Sequence, residues 1–121
     1  TDMRRKNAKL YSDTFASLGI EEVITPWHPD YVDPVYHLYI IRVKNRDKMM
    51  EFLKSNGIPS MIYYPVPLHM QEAYKYDYKP GNYPVSEEIA EDIISLPMHT
   101  ELTDEEIDFI SSKVIEFNSI Q

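Results

Sequence analysis

The sequence contains no cysteine and only three glycines among its 121 residues. Without cysteine the chain has no disulfide, no thiolate nucleophile and no thiolate zinc ligand, so packing alone must hold the fold. None of the glycines falls in a spacing that cradles phosphate or marks a dinucleotide site. These absences exclude thiol chemistry and argue against a self-contained phosphate site.

Basic residues are also scarce, since twelve Lys and Arg stand against twenty Asp and Glu, for a net charge of -8. Such a chain repels the phosphate backbone of nucleic acids unless a basic stripe overrides the charge, and the sequence has no such stripe. It also has no apolar run long enough for a signal peptide or a membrane span. We therefore expect a cytoplasmic protein that binds neither nucleic acid nor membrane.

Hydrophobic periodicity predicts one α+β domain, with a small, mostly antiparallel sheet and helices packed on one face. The stripe Val85, Ile89, Ile93 and Leu96, which Pro97 ends, predicts one of these helices. A short helix is predicted through Tyr74. The main predicted helices span 3–18, 45–56, 84–96 and 103–117, and the predicted strands span 21–25, 36–43 and 60–64. Asn45 and Gly57 are predicted to cap the second of these helices at its two ends, and Thr103 to Glu106 has the spacing of a capping box. The proline-rich stretch 26–34 and the aromatic stretch 76–83 are predicted loops.

The residues alone predict neither a catalytic group nor a metal site. The four histidines are scattered without the spacing of a zinc helix, and no serine stands in a nucleophile elbow. The eight lysines lie mostly on predicted helix surfaces or loops, where a desolvated Schiff-base amine is not expected. Segment 63–71 stands out because prolines stiffen a stretch that carries tyrosine, histidine and glutamine side chains. It is either a binding loop or a place where tyrosines pack on the sheet.

Several motifs follow one another in an order and spacing that resemble the DegT/DnrJ/StrS family of sugar aminotransferases. They are Tyr36–Val43, Gly57–Pro59, Tyr64–Gln71, Gly81–Glu87, Ser95–His99 and Leu102–Thr103. Asn82 and Tyr83 depart from the Asp and Phe that are commoner in relatives. The resemblance covers nearly the whole chain and identifies it as the C-terminal small domain, without the large catalytic domain. Residues 1–19 correspond to the interdomain helix and 20–121 to the α+β body.

The resemblance implies a fold-type-I enzyme that depends on pyridoxal phosphate, works as a homodimer and transfers an amino group, usually from glutamate, to a nucleotide-linked ketosugar. In that family the Schiff-base lysine and most cofactor contacts belong to the large domain, so this chain alone is expected to be inactive. The small domain would supply dimer contacts and part of the wall of the sugar site. The resemblance implies these candidate substrate-binding residues: His37, Tyr39, Tyr63, Tyr64, His69 and Gln71.

Three other interpretations stay open at this point: a freestanding α+β module that binds a metabolite, a purely structural interaction domain, and a related sugar dehydratase. The dehydratase would share this scaffold and differ at the Schiff-base position, outside the chain. In the aminotransferase interpretation the first helix needs a second apolar edge toward the rest of the enzyme, for which Met3, Leu10 and Phe15 are candidates. The implied pathway is cell-surface polysaccharide synthesis or glycosylation of a secondary metabolite.

Overall fold

A computed structural model describes residues 2–17, 23–63, 66–74 and 76–119, which form a three-stranded antiparallel sheet and four α-helices. The strands are β1 (Val23–Ile24), β2 (Tyr39–Val43) and β3 (Ile93–Leu96). The helices are α1 (Asp2–Ser17), α2 (Arg46–Ser55), α3 (Pro84–Asp92) and α4 (Asp104–Ser119). The predicted α+β class with a small antiparallel sheet is confirmed.

Strand β2 lies between its two neighbours and organises the sheet, which has the order β1-β2-β3. Its residue Tyr39 lies opposite Leu96 of β3. Because side chains alternate along a strand, Tyr39, Ile41 and Val43 share one face, and all three are buried. Arg42 points to the other face, where its guanidinium lies 3.1 Å from Asp92 of α3.

A continuous core joins the three strands with α1, α2 and α4. The first and last helices contribute their predicted apolar positions, Ala8, Tyr11 and Phe15 from α1 and Ile107, Ile110, Val114 and Phe117 from α4. The ring of Tyr11 stacks on Tyr39 at 4.8 Å, which fixes α1 against β2. The burial of Phe15 also corrects the prediction that it belongs to an exposed edge, whereas Met3 is 45% exposed.

Helix α2 ends on the predicted glycine. Gly57 has a φ of +76°, in the left-handed region that only glycine enters without a steric cost. Its N–H donates to the Lys54 carbonyl at 3.0 Å, and the Ile58 N–H donates to the Leu53 carbonyl at 2.9 Å. These two bonds form a Schellman motif, which satisfies carbonyls that the helix end would otherwise leave without donors. At the other end Asn45 occupies the predicted N-cap position, but its side chain makes no capping hydrogen bond.

Helix α4 begins at the predicted capping box. The Glu106 N–H donates to Thr103 Oγ1 at 3.1 Å, and the Thr103 N–H donates to Glu106 Oε1 at 3.2 Å. Two backbone donors of the first turn are thereby satisfied by side chains. This element forms as its sequence predicts.

The predicted helix over 84–96 is wrong in its last four residues, because α3 ends at Asp92 and residues 93–96 form β3. The side chains of Ile93 to Leu96 are all buried, as expected for a short strand covered on both faces. Val85, assigned to the buried stripe, is instead 67% exposed. A short apolar run has no period that distinguishes a helix turn from such a strand.

Two predicted strands are shorter in the structure. Strand β2 begins at Tyr39 instead of Tyr36, because Tyr36 has a φ of +51° and cannot continue an extended strand. In 60–63 the described backbone forms one bridge, between Met61 and Ser95. The predicted short helix before Tyr74 is a pair of 3-10 turns, Leu68–Met70 and Glu72–Tyr74. The predicted features at residues 18–22 and at Tyr64 lie outside the described residues.

Candidate functional site

His69 lies in a cavity of about 440 Å³ beside α3. Pro67 precedes it with a φ of -55°, and the Pro67 carbonyl accepts the Met70 N–H at 2.9 Å, which closes the 3-10 turn around His69. This turn buries the imidazole, which is 6% exposed. The cavity is lined by Leu68, His69, Tyr74, Tyr78, Tyr83 and Ser86.

Aromatic rings form most of this wall. The ring of Tyr83 meets the His69 imidazole edge to face, with ring centroids 4.8 Å apart. Tyr78 lies 5.9 Å from Tyr83, and Tyr74 lies 6.4 Å from Tyr78. We call residues 66–74 and 76–83, which carry these rings, the aromatic segment. It presents several ring faces to one cavity, an arrangement suited to a ring-shaped ligand.

A carboxylate stands behind the imidazole. Nε2 of His69 lies 3.5 Å from Oε2 of Glu87, close enough for an ion pair but without the geometry of a hydrogen bond. The Glu87 carboxylate is already engaged, because both of its oxygens accept the Gly81 N–H, at 2.8 and 2.9 Å. Nε2 of His69 is therefore a buried polar atom with no hydrogen-bond partner among the described residues. Such an atom is costly unless a ligand or water satisfies it.

Gln71 belongs to a second cavity, of about 450 Å³, which shares Leu68 and Ser86 with the first. Its side chain is exposed, on the turn that follows His69. The structure therefore brings His69 and Gln71 into neighbouring cavities on the same side of α3. Tyr63, just before this segment, is half-buried, and Tyr64 lies outside the described residues.

The other two predicted residues lie near α1. His37 is exposed, and its Nδ1 is 3.2 Å from the Arg4 guanidinium. Tyr39 is 0% exposed, with its hydroxyl hydrogen-bonded to Ser12 at 2.8 Å. Burial raises the pKa of Tyr39 to about 12, although the Ser12 hydrogen bond opposes the shift. This placement favours a packing role for Tyr39 over the predicted contact with a sugar.

Sequence reasoning missed Tyr74, Tyr78, Tyr83 and Glu87. Tyr74 stood at the end of a predicted short helix, Tyr78 and Tyr83 stood in a predicted loop, and Glu87 belonged to a family motif without an assigned role. The available signal was the density of tyrosine between 74 and 83, next to a turn at Gly81. That density indicates aromatic surface but not which rings converge.

Residues 1–115 match the model of the DegT/DnrJ/EryC1/StrS aminotransferase family. The chain belongs to this family. The resemblance inferred from the sequence motifs is therefore confirmed.

Individual members of the DegT/DnrJ/EryC1/StrS family cover nearly all of the chain. A pleiotropic regulatory protein of Geobacillus stearothermophilus is 39% identical over 97% of the chain and 32% of its own length. A UDP-N-acetyl-3-dehydro-α-D-glucosamine 3-aminotransferase of Acidithiobacillus ferrooxidans is 34% identical over 93% of the chain and 30% of its own length. The crystal structure of S. venezuelae DesV with a ketimine intermediate superposes with a TM-score of 0.89, at 30% identity over 96% of the chain and 31% of DesV. The chain thus spans about a third of the length of these relatives.

Aminotransferases of this family depend on pyridoxal phosphate, but the described residues do not by themselves fit that cofactor. Among the described residues that line the cavity at His69 there is neither lysine nor arginine. A Schiff base needs a lysine amine, and the cofactor phosphate needs cationic or backbone N–H donors.

The described residues contain no group of three or more histidine, aspartate or glutamate side chains arranged to hold a metal ion. Among them, none of the helices has the length and apolar character needed to cross a membrane.

Proposed function

We propose that this chain is the small domain of a pyridoxal-phosphate-dependent aminotransferase that transfers an amino group from glutamate to a nucleotide-linked ketosugar. Family membership and the name of the Acidithiobacillus relative support the reaction and the substrate class. The observation that carries the proposal is the cavity at His69. The proline motif behind the family resemblance places a buried imidazole there, between the tyrosine rings and the Glu87 carboxylate.

In this proposal the aromatic segment forms part of the wall of the nucleotide-sugar site. His69 and Gln71 are the leading candidates, because they line two adjoining cavities. His37 and the pair Tyr63 and Tyr64 remain predicted substrate contacts. Tyr39 supports the site indirectly by holding α1 against the sheet through its ring and hydroxyl.

The cofactor supplies the electron sink for amino-group transfer. In this proposal the rest of the enzyme provides the Schiff-base lysine and the phosphate contacts. The chain alone is then inactive. A cytoplasmic location and a homodimer, with this domain supplying dimer contacts, also belong to the proposal.

The coding sequence upstream of Thr1 tests this assignment. We expect an open frame that encodes a large domain with a candidate Schiff-base lysine. A histidine at that position would favour the sugar dehydratase instead. A start codon close to Thr1 would indicate a freestanding binding module and would contradict the proposal.

A further inference from the structure

We infer that residues 24–35, which we call the Trp27 segment, form the surface on which the large domain of the same subunit docks. This inference rests on the proposed function, because that proposal supplies the large domain. It extends the proposal by assigning a contact surface to residues that the candidate functional site leaves unused. Three features of the segment carry it: its exposed apolar side chains, its fixed conformation and its place beside the start of α1.

Exposed apolar side chains are concentrated in the Trp27 segment. Five of its large apolar residues are exposed: Ile24, Trp27, Tyr31, Val32 and Val35. Trp27 is 83% exposed and Tyr31 is 90% exposed. Tryptophan and tyrosine are enriched among the residues that contribute most to binding at protein interfaces. Apolar residues gathered in one segment mark an interaction surface, whereas exposed apolar residues scattered singly do not.

The backbone of the segment is held in place within this chain. The Val32 N–H donates to the Pro29 carbonyl at 3.0 Å, which closes a turn. Just beyond the segment, Tyr36 has a φ of +51°, in the left-handed region that is strained for a tyrosine. The ring of Tyr36 lies 6.4 Å from the ring of Tyr39 in the core, and this packing retains the strained backbone. A segment that is ordered beforehand loses less conformational entropy when it docks.

The Trp27 segment lies beside the first turn of α1. Nε of Arg5 in that turn donates to the Pro34 carbonyl at 3.1 Å, and its guanidinium forms an ion pair with Asp33 at 3.1 Å. In the proposed enzyme the large domain precedes α1, so the polypeptide passes from one domain to the other next to this segment. The chain spans about a third of the length of its relatives, which leaves a domain large enough to cover the surface.

A small anionic ligand is a poorer occupant than a protein surface. A cavity of about 390 Å³ borders the segment and is lined in part by Arg5, Lys9 and Trp27. Both cations already have carboxylate partners, since Arg5 pairs with Asp33 and Lys9 pairs with Asp13 at 2.6 Å. A bound anion would have to compete with these carboxylates for the same cations. Apolar contact with Trp27 and its neighbours requires no such exchange.

A second copy of the chain is also a poorer occupant than the large domain. Each copy carries a net charge of -8, so two copies repel each other as they approach. The large domain belongs to the same polypeptide, so its docking is intramolecular and proceeds at a high effective concentration. The covalent connection therefore favours the large domain over a second copy.

The test uses the complete gene product with the photocrosslinker benzoylphenylalanine in place of Tyr31. After irradiation, denaturing electrophoresis distinguishes the two contacts, because a crosslink within one polypeptide keeps the mass of one chain and a crosslink to a second copy doubles it. We expect an internal crosslink, which mass spectrometry should locate in a peptide that precedes Thr1. Benzoylphenylalanine in place of Lys48 is the control and should not reach that peptide, because Lys48 is exposed on α2, which follows the opposite end of β2.

Three outcomes of the crosslinking experiment would overturn the inference. A product of doubled mass would assign the segment to contact with a second copy. A crosslink confined to residues 1–121 would show that the segment packs on its own domain. The absence of any crosslink would show that no surface covers Tyr31.

Trp27 gives an independent measurement, which also serves if the protein with benzoylphenylalanine at position 31 fails to fold. It is the single tryptophan of the 121-residue chain, and in the complete gene product its emission is the difference between the unaltered protein and Trp27→Phe. We expect acrylamide to quench this emission about fivefold less in the complete product than in the 121-residue chain, since the centre of an interface excludes water. Equal quenching in a complete product that carries out transamination would overturn the inference and leave the proposed function standing. Protected emission in a product without transamination would count against the proposed function alone.

Discussion

The core and the aromatic segment use aromatic residues in opposite ways. In the core, Tyr11 and Tyr39 stack on each other and both hydroxyls are hydrogen-bonded within the chain, to Pro97 and Ser12. In the aromatic segment, rings meet at steep angles around a cavity, and Tyr78 and Tyr83 are partly exposed. Satisfied groups stabilise the fold, whereas exposed ring surface is available to a ligand. Stability and binding should therefore respond to different substitutions.

The largest difference in stability between the two regions should appear when the same substitution, leucine to alanine, is made in each. Leu53 of α2 is fully buried in the core, and Leu68 of the aromatic segment is 67% exposed. Leu53→Ala should lower the free energy of unfolding by about 2–5 kcal/mol, because it removes buried methyl groups and leaves a cavity. Leu68→Ala should change it by less than about 0.5 kcal/mol. Urea unfolding followed by circular dichroism measures both free energies. Equal losses of stability in the two variants would contradict the view that the core stabilises the fold and the aromatic segment does not.

Alkaline pH should weaken the core through its buried tyrosines. Burial raises the pKa of Tyr39 from 10.0 to about 12, and it also raises the pKa of Tyr11. Below pH 10 both hydroxyls are neutral in the folded and the unfolded chain, so their contribution is fully present. Above pH 10 the unfolded chain loses these protons first, so the free energy of unfolding falls as pH rises toward 12.

For each such group the decline is at most about 1.4 kcal/mol per pH unit. Tyr39→Phe removes one of the two groups, so the free energy of unfolding should fall less steeply between pH 10 and 12 than in the unaltered chain. Urea unfolding at several pH values measures both slopes. The same slope in the two proteins would show that the burial of Tyr39 does not govern its titration.

A smaller effect is expected where α4 begins. Thr103→Ala removes the Oγ1 acceptor of the Glu106 N–H and should lower the free energy of unfolding by about 1 kcal/mol. Thr100→Ala is the control, because Thr100 is an exposed residue in the preceding turn. Thermal unfolding of both variants measures the difference. If Thr103→Ala and Thr100→Ala unfold at the same temperature, the capping box does not stabilise the start of α4.

Much of the core could be predicted from local sequence patterns. Tyr11 and Phe15 lie one helical turn apart on α1, and the capping box marked the start of α4, so both helices formed where their sequences predict. Strand β3 could not be predicted in this way, because the four residues Ile93–Leu96, three apolar and one serine, are too few to show a period of their own. Its strand state depends on pairing with β2, which is a long-range contact.

The candidate site was predictable only in part. Family motifs pointed to His69 and Gln71, and these two residues lie in adjoining cavities. The same motifs also pointed to Tyr39, which lies in the core because its alternation with Ile41 and Val43 faces inward. The convergence of Tyr78 and Tyr83 on His69 depends on the turn at Gly81, with a φ of +92°, and on the Glu87 carboxylate that binds its N–H. Neither contact leaves a periodic signal in the sequence.

The most direct test of the central claim compares this chain with the complete gene product in one half-reaction. Each is mixed with pyridoxal phosphate and glutamate, and formation of 2-oxoglutarate is measured against a sample without protein. The account predicts that the complete product forms 2-oxoglutarate and that the 121-residue chain does not exceed the protein-free rate. Turnover by the chain alone, or none by the complete product, would contradict the assignment as the small domain of such an aminotransferase.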